Sequence, residues 1–190
     1  MQVETICQLR YENEMMNRKI ITSTERLILR TWDEADFDFA HHLWSDPEVM
    51  AFIDVRGGLS KEQVHDKLKA EIDCQEKNDI QYWPIFEKET GDFVGCCGLK
   101  PWKHSPRTGP ELGFHLVKAK WGRGYANEAA RGVIEYAFRV KRFEQLMVGH
   151  HPDNIPSKNI LISLGFQFVE NVFFKPTGLL HPSYELKAFR

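Results

Sequence analysis

Two glycines separated by one residue, Gly122 and Gly124, mark the segment in which the sequence most clearly indicates chemistry. The segment follows a β-prone run and precedes an amphipathic helical stretch that begins near Ala126. Glycines at this spacing let the backbone turn tightly and expose several N–H groups, and a helix N-terminus adds unpaired donors and the positive end of its dipole. We therefore interpret the segment as a site for a phosphate or pyrophosphate. Many such turns bind nothing, and neither a GxGxxG pattern nor a Walker lysine motif accompanies this one.

Glu111 opens the β-prone run that leads into this loop. Strand alternation puts it on one face with Gly113 and His115, whereas Leu112 and Phe114 take the other face. Glu111 could therefore point into a cavity and act as a base. It could equally be a solvated carboxylate at the start of a strand, and the sequence leaves both interpretations open.

Asn154 and Ser157 stand where a short helix begins, and both residue types suit an N-cap and a first helical turn. His150 and His151 precede Pro152, but no spaced carboxylate or cysteine completes a ligand set, so we predict no metal site. The four cysteines form neither a disulfide framework nor a CxxC pair, and we expect all of them to be reduced thiols.

The composition limits the class of protein. A chain of 190 residues with 42% hydrophobic content predicts one domain, which we place at residues 24–190 after an N-terminal extension of residues 1–23. The net charge of -2 comes from mixed charges without a basic stripe, which argues against a nucleic-acid partner. Neither a signal-peptide core nor a membrane-spanning stretch is evident, so we expect a cytoplasmic protein without a membrane partner.

The periodicity of the chain predicts a strand, two helices, a three-strand meander, a helix, a strand, a short helix and two final strands. The strongest helical stripe contains small residues that allow close packing on a sheet, namely Ala126, Ala129, Ala130, Val133, Ile134, Ala137 and Phe138. This order of elements predicts a mixed α/β sheet of about seven mostly antiparallel strands with helices on both faces.

The segment around Gly124 also resembles a known family. Trp121, Gly124 and Ala126 resemble the pyrophosphate signature of GNAT acetyltransferases, which usually reads Arg or Gln, two residues, Gly, one residue, and Gly or Ala. Trp121 replaces the Arg or Gln, a departure common in the branch that acetylates the N-termini of ribosomal proteins. Five other segments resemble that branch in the same order: residues 26–30, 91–95, 111–114, 127–129 and 154–166. The resemblance covers about residues 24–188.

The resemblance implies a sheet splayed between the strand of Glu111 and the strand that ends at Gly149, with the pantetheine arm of acetyl-CoA in the gap. It makes Glu111 the leading base, acting through a water molecule, and Ser157 the acid that protonates the departing thiolate. It also implies backbone donors for an oxyanion near Leu116 and Val117. The cofactor-binding residues that it implies are Leu116, Val117, Gly122, Arg123, Gly124, Tyr125, Ala126, Asn127 and Asn154.

The implied activity is transfer of an acetyl group from acetyl-CoA to a primary amine by direct attack, without a covalent enzyme intermediate. The acceptor is either a protein N-terminal amine or a small-molecule amine, and the protein is a monomer or a homodimer. The alternative is a non-catalytic acyl-CoA-binding module that kept the fold and lost turnover. The presence of Glu111 and Ser157 beside the loop favours the enzyme.

Overall fold

The computed structural model describes residues 18–102 and 109–188. These residues form an eight-stranded sheet in the order β1-β2-β3-β4-β5-β6-β8-β7. The strands are β1 (Ile20–Ser23), β2 (Leu27–Arg30), β3 (Tyr82–Glu87), β4 (Phe93–Pro101), β5 (Pro110–Leu116), β6 (Gln145–Gly149), β7 (Gln167–Phe174) and β8 (Leu179–Lys187). The predicted mixed sheet with helices is confirmed, and its additional strand is β1, which lies inside the stretch that we had assigned to the N-terminal extension. Residues 1–17 of that extension lie outside the described residues.

Five α-helices connect the strands of the described chain. They are α1 (Phe37–Trp44), α2 (Pro47–Met50), α3 (Lys61–Asn78), α4 (Tyr125–Glu135) and α5 (Ile155–Ser163). Helix α4 continues into a π-helical turn at Tyr136–Val140. A capping box between Ser60 and Gln63 starts α3, because each side chain accepts a backbone N–H at the free end of the helix.

The two faces of the sheet bury different helices. Alternate residues of β3 show this, since Trp83 and Ile85 pack in one cluster with Ala129 and Val133 of α4. Tyr82 and Phe86 belong to the other cluster, with α1 and α3. Residues that follow each other along a strand point to opposite faces, so the strand pattern determines which helix each side chain meets.

Strands β5 and β6 are parallel, whereas the other neighbouring strands of the described sheet are antiparallel. They share a single pair, Glu111 with Met147, near the beginning of β5. Past this pair the strands separate, and the sheet opens between their carboxyl ends. Helices α4 and α5 begin soon after those ends, at Tyr125 and Ile155. The gap therefore has a helix N-terminus following each of its two strands.

None of the helices in residues 18–102 and 109–188 combines the length and the apolar character that crossing a membrane would require.

Arg30 and Asp36 form a buried ion pair that joins β2 to the start of α1. Both residues are about 1% exposed, and Arg30 Nη1 and Nη2 lie 2.7 and 2.8 Å from the two carboxylate oxygens of Asp36. Arg18 also contacts this carboxylate, which accepts the backbone N–H of Asp33 as well. Asp36 therefore does more than favour the first helical turn through the helix dipole.

We predict that Asp36→Asn lowers the free energy of unfolding by about 3 kcal/mol, because it removes the charged partner that the buried Arg30 guanidinium contacts through Nη1 and Nη2. Urea denaturation followed by tryptophan fluorescence measures the change. Asp38→Asn, at an exposed position of the same helix, is the control and should change stability little. Equal stability of the two variants would contradict the prediction.

Candidate active site

The gap between β5 and β6 exposes backbone groups of Leu116. Leu116 pairs with Gly95 of β4, and the neighbouring Val117 N–H donates to Val94 O at 3.0 Å. In an antiparallel ladder this pattern belongs to a pair whose own backbone groups point away from the partner strand. The N–H of Leu116 therefore points into the gap. The N–H of Val117 is used within the sheet, so the prediction that it is a free donor is wrong.

The loop before α4 is shaped by left-handed backbone at Gly122 (φ 72°) and Gly124 (φ 80°). Gly124 is the N-cap of α4, and no side chain caps this helix end. A Cβ at Gly122 would meet no atom within 4 Å, and the loop residues 121–124 are exposed. The first N–H groups of α4, including those of Tyr125, Ala126 and Asn127, are thus left open to a ligand. Such a concave set of donors at a helix N-terminus suits an anion.

Side chains on the protein side hold this loop in place. The Arg26 guanidinium lies over the Tyr125 ring at 4.5 Å and donates to Arg123 O at 3.1 Å. Glu128 binds Arg26 Nε at 2.6 Å and also accepts from the Arg26 backbone N–H at 2.8 Å. The Tyr125 hydroxyl, beside Glu87, is the main cause that lowers the pKa of that carboxyl to about 2. The Tyr125 side chain is therefore committed to the loop, and its backbone N–H is the part that faces a ligand.

Trp121 stands where the signature described above usually has Arg or Gln. Its indole N–H forms a hydrogen bond with the end of β5. Trp121 Nε1 donates to Leu116 O at 2.8 Å, and the side chain stays 47% exposed. The contact ties the loop to the end of β5. Lys120 ties the loop to the β3–β4 turn by contacting Glu87 at 3.0 Å and Asp92 at 2.8 Å.

The remaining predicted residues lie on α4 and α5. Asn127 Nδ2 donates to Ser163 Oγ at 2.7 Å, so its side chain braces the two helices against each other. Asn154 Oδ1 accepts the Ser157 N–H at 3.0 Å, which is the predicted N-cap. The Asn154 amide nitrogen and the Ser157 hydroxyl have no protein partner in the described part of the chain, and both stand at the helix end that follows β6.

Glu111 lies on the face of β5 that α1 and α3 cover, in a recess formed with Tyr82, Gly113 and His115. Glu111, Gly113 and His115 keep partial exposure on this inner face, so the recess is open to solvent. Burial raises the pKa of Glu111 to about 7, and the charges of Lys100 and Lys67 hold it below what burial alone would produce. Glu111 is partly buried, and its role as a base stays a prediction.

Tyr82 covers the middle of the recess. A Cβ at Gly113 would come within 2.3 Å of the Tyr82 hydroxyl, so glycine is required there by close approach. The Tyr82 and His115 rings meet edge to face at 5.6 Å. His115 Nδ1 accepts from Trp44 Nε1 at 3.2 Å, and burial lowers the pKa of this imidazole well below its usual value. His115 is therefore a neutral ring that shapes the recess.

Three charged residues near Glu111 were not anticipated from the sequence. Glu71 of α3 is fully buried, its Oε1 lies 2.6 Å from Lys100 Nζ, and its Oε2 accepts the Tyr82 N–H at 3.0 Å. Lys67 stands one helical turn before Glu71. Both residues follow the i, i+3, i+4, i+7 spacing of the buried Val64 and Leu68. A lysine and a glutamate on the apolar stripe of a helix were the signal that could have found them.

The cysteines and the histidine pair contribute no chemistry to this site. Cys96 and Cys97 are buried, and burial raises the pKa of Cys96 to about 12, so its thiol is inert. Cys7 lies outside the described residues. His150 lies against the Tyr184 ring at 5.5 Å. No group of three His, Cys, Asp or Glu side chains suited to a metal occurs in residues 18–102 and 109–188.

The structure thus brings the predicted residues together around one gap. Leu116, the loop of residues 122–127, and the pair Asn154 and Ser157 lie at the carboxyl ends of β5 and β6. Glu111 and Ser157 belong to opposite faces of the sheet, since α5 packs through Leu161 on the α4 side. Glu111 lies where the two strands still meet, and Ser157 lies beyond the end of β6.

The chain matches known proteins in sequence. The acetyltransferase (GNAT) domain family matches residues 26–167. The chain is 31% identical over 144 residues to the uncharacterized N-acetyltransferase p20 of Bacillus licheniformis, which covers 76% of this chain and 80% of that protein.

Solved structures show the same fold. An acetyltransferase from Salmonella typhimurium that modifies the N-terminal serine of a 50S ribosomal subunit protein superposes with a TM-score of 0.75 at 16% identity, covering 90% of this chain and 100% of that chain. RimJ of Mycobacterium smegmatis in complex with a CoA disulfide superposes with a TM-score of 0.70 at 15% identity, covering 88% and 87% of the two chains. By its sequence match and its fold, the chain belongs to the acetyltransferase (GNAT) domain family.

Proposed function

We propose that this protein transfers the acetyl group of acetyl-CoA to a primary amine, which attacks directly while both substrates are bound. Bound acetyl-CoA supplies an activated thioester, and the protein supplies position, a base and backbone donors. The observation that carries the proposal is the opening of the sheet beyond Glu111, followed by the uncapped N-terminus of α4 and by the N-terminus of α5 that Asn154 caps. Burial raises the pKa of Glu111, at the start of this opening, to about 7. A base whose pKa is near the working pH is the most effective one.

The donor side of the gap fits acetyl-CoA. The pyrophosphate would bind the exposed loop of Gly122, Arg123 and Gly124 and the first N–H groups of α4. The pantetheine arm would lie along β5, where the Leu116 N–H points into the gap, and Asn154 would bind it from the other side. The structure of the same fold from Mycobacterium smegmatis is a complex with a CoA disulfide, which supports coenzyme A as the kind of ligand.

The acceptor side fits an amine. Glu111 would take the ammonium proton through a water molecule, and the Leu116 N–H would stabilise the negative charge that develops on the carbonyl oxygen. Ser157, on the opposite face, would return a proton to the departing sulfur. A protein N-terminal amine is one acceptor class, and the related Salmonella typhimurium enzyme supports it. A small-molecule amine is the other.

Thiol release from acetyl-CoA, measured across a panel of peptides and small amines, tests the proposal. Amine-dependent release is expected. Acetyl-CoA binding without release for any amine would identify the non-catalytic binding module instead.

We predict that Gly124→Asp abolishes acetyl-CoA binding in a folded protein. Aspartate is a favourable N-cap and tolerates left-handed backbone, so α4 should remain intact while the carboxylate occupies the anion site. Gly124→Asn is the matched control, because it has the same size without the charge and should bind acetyl-CoA more tightly than the aspartate variant. Calorimetric titration measures both, and an unchanged affinity of Gly124→Asp would remove the loop from the cofactor site.

We predict that Glu111→Gln lowers turnover about a hundredfold at neutral pH and barely changes acetyl-CoA affinity. In the wild type the rate should increase as pH rises through about 7, because the carboxyl must lose its proton before it can act as a base. The variant should lack this inflection. Its deficit should shrink as pH approaches the pKa of the amine, since the acceptor then arrives deprotonated.

Initial rates of thiol release between roughly pH 5.5 and 9.5 measure the pH–rate profile, because the Glu111 carboxyl and the acceptor amine change protonation over this range. Glu135→Gln, on the exposed face of α4, is the control and should behave as the wild type. A variant deficit that is constant with pH would mean that Glu111 positions the acceptor and does not take its proton.

A further inference from the structure

Lys67 is a cation that the described part of the chain leaves without a carboxylate partner. Its Nζ lies 4.8 Å from the centre of the Trp44 ring, on the inner side of α3. No carboxylate oxygen of the described residues lies within 4.0 Å of it. The nearby Glu71 already contacts Lys100 at 2.6 Å. Burial, and after it the charge of Lys100, lowers the pKa of Lys67, so its unpaired charge is unfavourable where it stands.

Lys67 also lines a cavity of about 370 Å³. We call this the α2–α3 cavity, and its wall includes Met50, Ile53, Asp54, Gln63, Phe174 and Pro176. The other charged residues that line the cavity are paired or exposed. Arg56 Nε donates to Asp54 Oδ1 at 2.9 Å, and Asp66 is exposed on α3. Lys67 is therefore the cation available to a molecule in the cavity.

Trp44 connects Lys67 to the recess of Glu111, because Lys67 Nζ lies 4.8 Å from the centre of the Trp44 ring and Trp44 Nε1 donates to His115 Nδ1 at 3.2 Å. The charge of Lys67 lowers the pKa of Asp54 in the cavity wall and opposes the rise in the pKa of Glu111 in the recess. The turn between β7 and β8 closes the cavity, held there by the Val55 N–H that donates to Pro176 O at 3.3 Å.

We propose that Lys67 binds a carboxylate of the acceptor, so that the substrates of this enzyme are amines that carry a carboxylate on the same molecule. The inference rests on the proposed function, because it needs the acceptor amine at Glu111. The carboxylate would provide the counter-charge that Lys67 lacks, through a charge-assisted hydrogen bond. A polyamine would instead bring a second cation toward Lys67 and Lys100, and would be disfavoured.

Matched acceptor pairs test this proposal. One pair is 4-aminobutyrate and its amide, and the other is a tripeptide amide with aspartate or asparagine at its second position. Calorimetry measures the dissociation constant of each acceptor in the presence of coenzyme A, and thiol release measures kcat/KM. The wild type should favour the acidic member of at least one pair by about tenfold to a hundredfold, the range of a charge-assisted hydrogen bond. The pair that shows the preference identifies whether the carboxylate belongs to a small molecule or to a peptide.

Lys67→Met should reduce that preference to near unity, and Lys67→Arg should keep most of it. Removing Lys67 also raises the pKa of Glu111, but this change affects both members of a pair equally and cancels in their ratio. Lys69→Met, at an exposed position on α3, is the control and should keep the wild-type ratio.

Two results would overturn the inference: a wild-type preference ratio of one for both acceptor pairs, or an unchanged ratio in Lys67→Met. In either case, thiol release with amines that carry no carboxylate would leave the proposed function intact. Conversely, Lys67-dependent binding of the acidic member without any thiol release supports the anion site and overturns the transfer reaction.

Discussion

The separation of β5 from β6 is the constraint on which the rest of the site depends. The two strands are parallel neighbours that share one pair, Glu111 with Met147, and then diverge. Backbone groups along the divergent part lose their ladder partners, and buried N–H groups without partners are unfavourable. The Leu116 N–H is such a group. The sheet therefore presents hydrogen-bonding backbone to whatever enters the gap, and the helices that follow the two strands bring their N-termini to the same end.

The loop before α4 presents backbone groups on the side that would face a ligand, and side chains hold its other side against the protein. Gly122 and Gly124 leave the ligand side free of side chains, while Arg26, Tyr125 and Glu128 hold the protein side. A loop that is ordered before the ligand binds loses less conformational entropy on binding. The arrangement also explains why Tyr125 is buried although its neighbours in the loop are exposed.

The face that carries Glu111 balances burial against charge. Desolvation raises the pKa of Glu111, and the charges of Lys100 and Lys67 oppose that rise. The result is a pKa of about 7. Lys100 is itself held by Glu71, a buried partner on α3. Lys67 has no such partner among the described residues, which makes it the charge in this network that a substrate can satisfy. The same lysine thus connects the protonation of the base with the choice of acceptor.

The sequence by itself determined most of the strand and helix pattern, apart from β1, and the glycine loop before a helix, because these depend on residues close together in the chain. It also determined that Glu111 shares a face with Gly113 and His115, since alternation along one strand is local. Only the tertiary structure decided which groups surround that face. Lys67 and Glu71 of α3 meet Lys100 of β4 and Glu111 of β5 through packing of distant segments, and the pKa of Glu111 depends on that packing. The use of the Val117 N–H by Val94 likewise depended on strand register, which local sequence patterns do not specify.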